Sequence, residues 1–247
     1  MIDLHSHILP RIDDGPDSDA DSVEMARRVA ADGATAIACT PHRTDRTPTS
    51  PRQVAEGIAD LQPKIDAAGI ALRLLPGLEI RIDQARVMDE EELRAASLGG
   101  TGRWVLIEMP FQGWPLDLPD LLTALEVRGL GALIAHPERA QSVQASPDRL
   151  RDVVGRGALV QLTAASVTGD NGPRAQRTAV QLLRAGFAHV IASDAHSPTW
   201  RPPGLTDALT AAARALKTTP EELRWMVDDI PRAIVEDREV RPPRLRA

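Results

Sequence analysis

Cysteine is almost missing from this chain: Cys39 is the only one among 247 residues. A lone thiol excludes an intramolecular disulfide framework and a zinc site built on cysteines, and a reducing compartment is the natural reading. It also excludes the loop of a cysteine phosphatase, which needs a Cys and an Arg separated by five residues with free amides between them. Asp45 stands at that spacing from Cys39, and Pro41 removes one amide. Cys39 reads instead as a small buried hydrophobe. Long hydrophobic runs are missing as well, so no stretch approaches membrane-spanning length. The opening Met1-Ile2-Asp3-Leu4-His5 has neither the basic nor the apolar region of a signal peptide. The expectation is a cytoplasmic, soluble protein without membrane insertion. Positive charge is not in excess: 29 Lys and Arg against 35 Asp and Glu leave a net charge of -6 at pH 7. That leaves no broad basic surface for nucleic acid or anionic lipid, so no nucleic-acid partner is expected and any phosphate recognition must be local.

What the chain does have is apolar content, 43%, in a pattern that specifies a fold class. Short apolar runs alternate with stretches of helical period, as in parallel strands joined by crossover helices. Seven strands are expected, at 1–5, 35–40, 72–77, 104–108, 132–136, 159–163 and 189–193. Most are rich in Ile, Val, Leu and Ala on both faces, as strands buried on both sides should be. Helices are expected at 18–32, 52–68, 118–127, 146–156 and 173–185, and Gly33, Gly69 and Gly186 fall where a left-handed residue ends a helix. The class is α/β, a distorted (β/α)7 TIM-like barrel. One domain is expected over 1–247, with the motifs in 1–201 and a loose tail at 241–247.

Residues two apart in a strand share a face, so His5 and His7 at the end of the first strand aim at one centre, and Asp194 with His196 repeats that geometry after the seventh. His42 follows the second strand, Glu79 the third, Glu108 the fourth and His136 the fifth. A single His at a strand end is usually structural. Here five of the six histidines fall at strand ends together with carboxylates, on the face where barrels carry chemistry. His189 begins its strand at the opposite end and reads as structural. Asp13 and Asp14 sit in a turn, where capping is the plain reading; Asp14 becomes a ligand candidate because its loop leaves the strand of His5 and His7. Mixed imidazole and carboxylate donors suit Mn, Zn or Fe, and nine candidates suffice for two or three divalent ions. Arg139 and Arg201 each follow a ligand candidate closely, and a guanidinium fork fits two phosphate oxygens. Phe111, Trp114 and Trp200 are candidate rim residues, with ordinary loop packing as the alternative.

The opening Asp3-Leu4-His5-Ser6-His7-Ile8-Leu9-Pro10 and Ile12-Asp13-Asp14-Gly15-Pro16 resemble the first motif of the polymerase and histidinol phosphatase (PHP) superfamily. Thr40-Pro41-His42, Pro76-Gly77-Leu78-Glu79, Ile107-Glu108-Met109-Pro110, Ala135-His136-Pro137-Glu138-Arg139 and Ser193-Asp194-Ala195-His196 continue the likeness in order. The narrower resemblance is to the bacterial metal-dependent protein-tyrosine phosphatases of the CpsB/CapC type, which serve capsule and exopolysaccharide biosynthesis. It implies a three-metal site, commonly loaded with manganese, on His5, His7, Asp14, His42, Glu79, Glu108, His136, Asp194 and His196. It implies that Arg139 and Arg201 bind the substrate phosphate and assist catalysis, and that the partner is a phosphotyrosine protein, a bacterial tyrosine kinase tail. Arg11 replaces the glycine usual in the opening motif, and Arg43 follows His42 where a second His is frequent.

The expected reaction is phosphomonoester hydrolysis by direct attack of a metal-bridging hydroxide on phosphorus, without a phosphoenzyme. A small-molecule phosphatase of histidinol-phosphate or nucleotide type is the alternative on the same scaffold. A non-catalytic binding module stapled by metals is the alternative from another class, and it requires coordinatively closed sites. Oligomeric state is left open by the sequence.

Overall fold

The computed structural model describes residues 1–243, so the expected tail at 241–247 lies, from residue 244 on, outside the described residues. Its strands are β1 (Ile2–Ser6), β2 (Ala36–Cys39), β3 (His42–Arg43), β4 (Arg73–Pro76), β5 (Glu79–Arg81), β6 (Trp104–Glu108), β7 (Gly131–Ala135), β8 (Leu159–Thr163) and β9 (Val190–Ala192). Every pairing between them is parallel. The order is β1-β2-β4 in one sheet and β3-β5-β6-β7-β8-β9 in the other. β2 and β3 are two pieces of one strand, interrupted at Thr40-Pro41, where proline has no amide to give the ladder. β4 and β5 are likewise split at Gly77-Leu78, where a Cβ on Gly77 would stand 3.0 Å from Cγ2 of Thr40. Counting each broken strand once leaves the seven that the sequence specifies.

The ring closes between its last and first strands. The Asp194 amide donates to the His5 carbonyl at 2.9 Å, and the His7 amide to the Ala195 carbonyl at 2.9 Å. The Ser193 amide donates to Oδ1 of Asp3 at 2.9 Å. All the parallel strands therefore end on one rim, the rim that presents His5, Glu79, Glu108, His136 and Asp194.

Helices pack outside the ring because their apolar residues recur on one face. Asp19–Ala31 begins on Ser18, whose hydroxyl accepts from the Asp21 amide. Pro51–Ala67 begins on a capping box between Ser50 and Gln53. The first of these buries Met25, Ala26 and Val29, the second Val54, Leu61 and Ile65. Gly33, Gly69 and Gly186 have φ of 93°, 68° and 70°, the left-handed stops expected of them. The helix expected over 146–156 divides into a 3-10 turn, Pro147–Arg149, and a short helix, Leu150–Gly155. Leu205–Leu216, which the sequence reading left unassigned, is a full helix burying Leu205, Ala208, Leu209, Ala212 and Ala213. Among the described residues, no helix is long and apolar enough to cross a membrane.

His189 sits as expected away from the rim. Its Nδ1 accepts from the Val160 amide at 3.1 Å, so that nitrogen must be unprotonated. Burial lowers the imidazole from 6.5 to about 4. The unfolded chain therefore binds more protons than the folded one between those values, and stability falls as pH falls through that window. Going from pH 7 to pH 5 is expected to cost the wild type about 2 kcal/mol more than a His189→Gln variant. Paired urea titrations at the two pH values measure it, and equal slopes for the two proteins would refute it.

Candidate metal centre

The barrel's carboxyl rim brings together all nine ligand candidates. Four overlapping groups offer donor atoms within 4.8 Å of one another: His7, Asp14, His42 and His196; His5, Glu79 and His136; His5, His7 and Asp194; His42, Glu79 and Glu108. His5 and His7 come from the end of β1, where the two-residue period aims both rings inward, and their Nε2 atoms stand 3.3 Å apart. Glu79 is fully buried, with Oε1 2.7 Å from Nε2 of His136 and Oε2 2.8 Å from Nδ1 of His42. Oδ1 of Asp194 stands 3.5 Å from Nε2 of His5 and 3.4 Å from that of His7. Oδ1 of Asp14 is 3.3 Å from Nε2 of His196 and 3.6 Å from that of His42.

The rings are held from behind. Nδ1 of His5 meets Oε1 of Gln161 at 3.1 Å, Nδ1 of His7 meets Oδ2 of Asp13 at 2.6 Å, and Nδ1 of His196 meets the Asp194 carbonyl at 2.9 Å. Each of those oxygens can accept a hydrogen bond from Nδ1–H, which in the neutral ring turns the Nε2 lone pair to the centre. His136 and Asp194 hold left-handed backbone at φ 29° and 53°, a conformation costly for residues with side chains and concentrated at functional sites.

Charge is shared unevenly across the cluster. Burial penalises ionised Glu79, yet His5 and His136 hold it well below the usual carboxylate range. Glu108 is raised, by burial first and then by the charge of Glu79. Burial also opposes a charged His7, but Asp13 more than offsets it and His7 rises to about 9; His42 rises to about 9 through Glu79 against the same opposition. Asp14 is lowered, chiefly by its hydrogen bond to His196. Glu79 and Asp194, both buried among five imidazoles, would otherwise carry a large desolvation cost, so the cluster is held by mutual charge.

Sequence reasoning gave Asp13 a capping role, and it does cap: its Oδ1 accepts from the Gly15 amide at 3.0 Å. It also missed a second role, because Oδ2 accepts from His7 and from the His42 amide at 3.0 Å. Gly15 is what lets this loop fold back, since a Cβ there would lie 2.1 Å from the His7 carbonyl oxygen. Gln161 of β8 was missed too; no periodicity separates a glutamine that orients a ligand from one that packs. Its Oε1 accepts from the His136 amide at 3.2 Å as well as facing His5.

Arg139 and Arg201 reach the cluster from two loops. Nη1 of Arg139 donates to Oδ2 of Asp194 at 2.7 Å, and Nη2 of Arg201 donates to the same oxygen at 2.6 Å. The guanidinium of Arg139 lies 4.9 Å over the Phe111 ring, and that of Arg201 lies 5.8 Å over Trp200. Phe111 stacks on His136 at 5.8 Å, and Trp200 tilts against His196 at 6.0 Å. With exposures of 43% and 63%, Phe111 and Trp200 are rim residues. Trp114 instead packs under Arg149, as ordinary loop packing requires.

A parallel α/β barrel that gathers imidazoles and carboxylates at its strand ends, with two arginines beside them, is the architecture of a metal-dependent hydrolase. The chain belongs to the CpsB/CapC family of capsular polysaccharide synthesis, whose family model matches residues 1–227. It is 37% identical over 198 residues to the tyrosine-protein phosphatase YwqE of Bacillus subtilis (strain 168), covering 80% of this chain and 78% of that one. It is 26% identical over 245 residues to the tyrosine-protein phosphatase CpsB of Streptococcus pneumoniae, covering 96% and 99%. A crystal structure from the work on YwqE and CpsB, described as unique metal-dependent tyrosine phosphatases, superposes with a TM-score of 0.88 at 32% identity over 100% of this chain and 98% of that one. A lactonase from Listeria monocytogenes, at 14% identity and a TM-score of 0.54 over 94% of each chain, shares the fold alone.

Proposed function

We propose that this protein is a metal-dependent protein-tyrosine phosphatase, with His5, His7, Asp14, His42, Glu79, Glu108, His136, Asp194 and His196 holding two or three divalent ions, manganese foremost. The observation that carries the reading is the convergence of nine imidazole and carboxylate side chains into overlapping groups whose donor atoms lie within 4.8 Å of one another. The Nε2 atoms of His5 and His7 face each other at 3.3 Å. Oε2 of Glu79 and Nδ1 of His42 lie 2.8 Å apart without hydrogen-bond geometry, and neither has another hydrogen-bond partner. Buried donors left in this state fit cations placed between them. The relatives' names supply the substrate class.

When bound, such ions activate the attacking water and neutralise charge on the phosphoryl oxygens. The chain's own residues do the rest. Arg139 and Arg201, each about a quarter exposed, present guanidinium N–H groups beside the cluster and orient the phosphate dianion. Asp13 and Gln161 keep the protons of His7 and His5 on Nδ1, so that the rings do not turn. The leaving group is a phenolate, whose conjugate acid has a pKa near ~10, so strong proton donation is less needed than for an alkyl ester. The exposed rings of Phe111 and Trp200 stand against His136 and His196 at the edge of the cluster, where they can flank a tyrosine presented by a protein tail. The natural substrate on this reading is the tail of a bacterial tyrosine kinase of capsule synthesis. The buried free thiol of Cys39 suits a cytoplasmic site for the reaction.

Chelator-treated protein is expected to release no phosphate from a phosphotyrosine peptide, and added Mn is expected to restore release. Histidinol phosphate should be turned over far more slowly. Full turnover after exhaustive chelation would sink the metal reading, whereas metal-dependent preference for histidinol phosphate would keep the chemistry and move the substrate.

A further inference from the structure

Next to the phosphate arginines runs a groove that the proposed chemistry does not use. The shallow depression over Arg139 and Phe111 is also lined by Gln144. Gln144 in turn lines a neighbouring groove of about 400 Å³ between the helices Gln141–Ala145 and Pro173–Arg184, so the two adjoin at this residue. Arg174 and Arg177 stand three residues apart on the second helix, on the face that borders this groove. Both are exposed. No carboxylate lines the groove, and neither guanidinium takes part in an ion pair or a side-chain hydrogen bond among the described residues. In a chain of net charge -6, where helix arginines such as Arg28, Arg52, Arg94 and Arg232 are each paired with a carboxylate four residues away, two neighbouring unpaired guanidiniums concentrate positive potential at one place.

We infer that this groove is a substrate subsite for acidic side chains flanking the scissile phosphotyrosine. The inference rests on the phosphatase reading above and adds a specificity to it. A peptide whose phosphate sits against Arg139 and Arg201 passes over Phe111 and Gln144 into the groove. There Asp or Glu residues meet Arg174 and Arg177, while the side-chain amides of Gln141 and Gln181 are available to hydrogen-bond the peptide backbone. A lysine at the same place is repelled. The groove thus reads charge a few residues from the reacting phosphorus, without touching the metals.

The test compares kcat/KM for three phosphotyrosine peptides that differ only in flanking residues, Glu, Ala or Lys, using the Mn-loaded full chain. Wild-type protein is expected to favour the Glu peptide over the Lys peptide by about five- to tenfold at low salt, the range two solvent-exposed ion pairs supply. At 1 M salt, where the screening length is about 3 Å, the preference should vanish. In the Arg174→Glu/Arg177→Glu double variant the order of the Glu and Lys peptides should invert. A Lys-to-Glu ratio that is the same in wild type and double variant overturns the subsite while leaving the phosphatase intact. A preference for Glu peptides that survives in the double variant assigns it to other residues and also overturns it. Absence of metal-dependent turnover on all three peptides removes the phosphatase reading, and the subsite with it.

Discussion

Replacing Glu79 by Gln is expected to reduce metal-dependent turnover below detection and to lower the metal content of the purified protein. Glu79 lies at the centre of the cluster: one oxygen meets His136, and the other stands 2.8 Å from His42, 3.4 Å from His5 and 3.5 Å from His7. It belongs to two of the four donor groups, one with His5 and His136 and one with His42 and Glu108. Glutamine keeps the volume and one acceptor but removes the charge and places an NH2 where lone pairs converge. A cation would then meet buried imidazoles with one fewer anion to balance it, in a setting where each uncompensated charge costs several kcal/mol. The barrel itself should persist, because its core and ladder lie below the rim. Far-UV circular dichroism, metal analysis and peptide turnover on the same preparation decide the matter. A folded variant with its full complement of metal and more than a tenth of wild-type turnover would be incompatible with Glu79 as a shared ligand.

Much of this centre was legible before any coordinates. The two-residue strand period placed His5 beside His7, and strand ends placed Glu79, Glu108 and His136 on the same rim. What the period does not encode is which residues support the ligands. β8 supplies no ligand candidate, yet its Gln161 accepts from the His136 amide and faces His5. Asp13 resembles any turn aspartate in sequence, and only the close return of the loop over Gly15 brings it to His7. The second and third strands were expected to end at 40 and 77, so their second pieces, His42–Arg43 and Glu79–Arg81, were missed: Pro41 and Gly77 punctuate the chain there, and two or three residues beyond them are too few to show a period. The helix Leu205–Leu216 went unassigned although Leu205, Ala208, Leu209, Ala212 and Ala213 recur at helical spacing, because it lies beyond the last motif; its burial comes from packing on neighbouring helices.

The two departures from the family pattern also acquire physical meaning. Arg11 holds φ at 62°, the left-handed backbone that glycine adopts without strain, which explains why glycine is usual there. Its guanidinium donates to Asp19, which also binds Lys64, so the arginine ties the loop that carries Asp13 and Asp14 to two helices. Arg43 donates to the Pro48 and Thr49 carbonyls and to Glu92, away from the nine donors. Both substitutions therefore act on the scaffold around the centre, and the donor set is complete without them.

Arg139→Ala and Arg201→Ala are each expected to lower kcat/KM on a phosphotyrosine peptide by about 10²- to 10³-fold, the loss associated with one preorganised transition-state donor. Metal content should be unchanged, because neither arginine belongs to a donor group. The two guanidiniums converge on a single oxygen of Asp194, at 2.7 Å and 2.6 Å, from loops on either side of the centre. That arrangement fixes both positive groups before substrate arrives and leaves their remaining N–H groups free to turn to phosphate. Removing one leaves Asp194 paired with the other, so the cluster retains its charge balance and the deficit appears in the reaction rather than in folding. Lysine at either position should recover part of the loss, since it restores the charge but not the planar fork. Inhibition by inorganic phosphate supplies a second readout: its inhibition constant should rise in both alanine variants. If either alanine variant stays within threefold of wild type in kcat/KM and in phosphate inhibition, that arginine is a partner of Asp194 alone and the phosphate is held elsewhere.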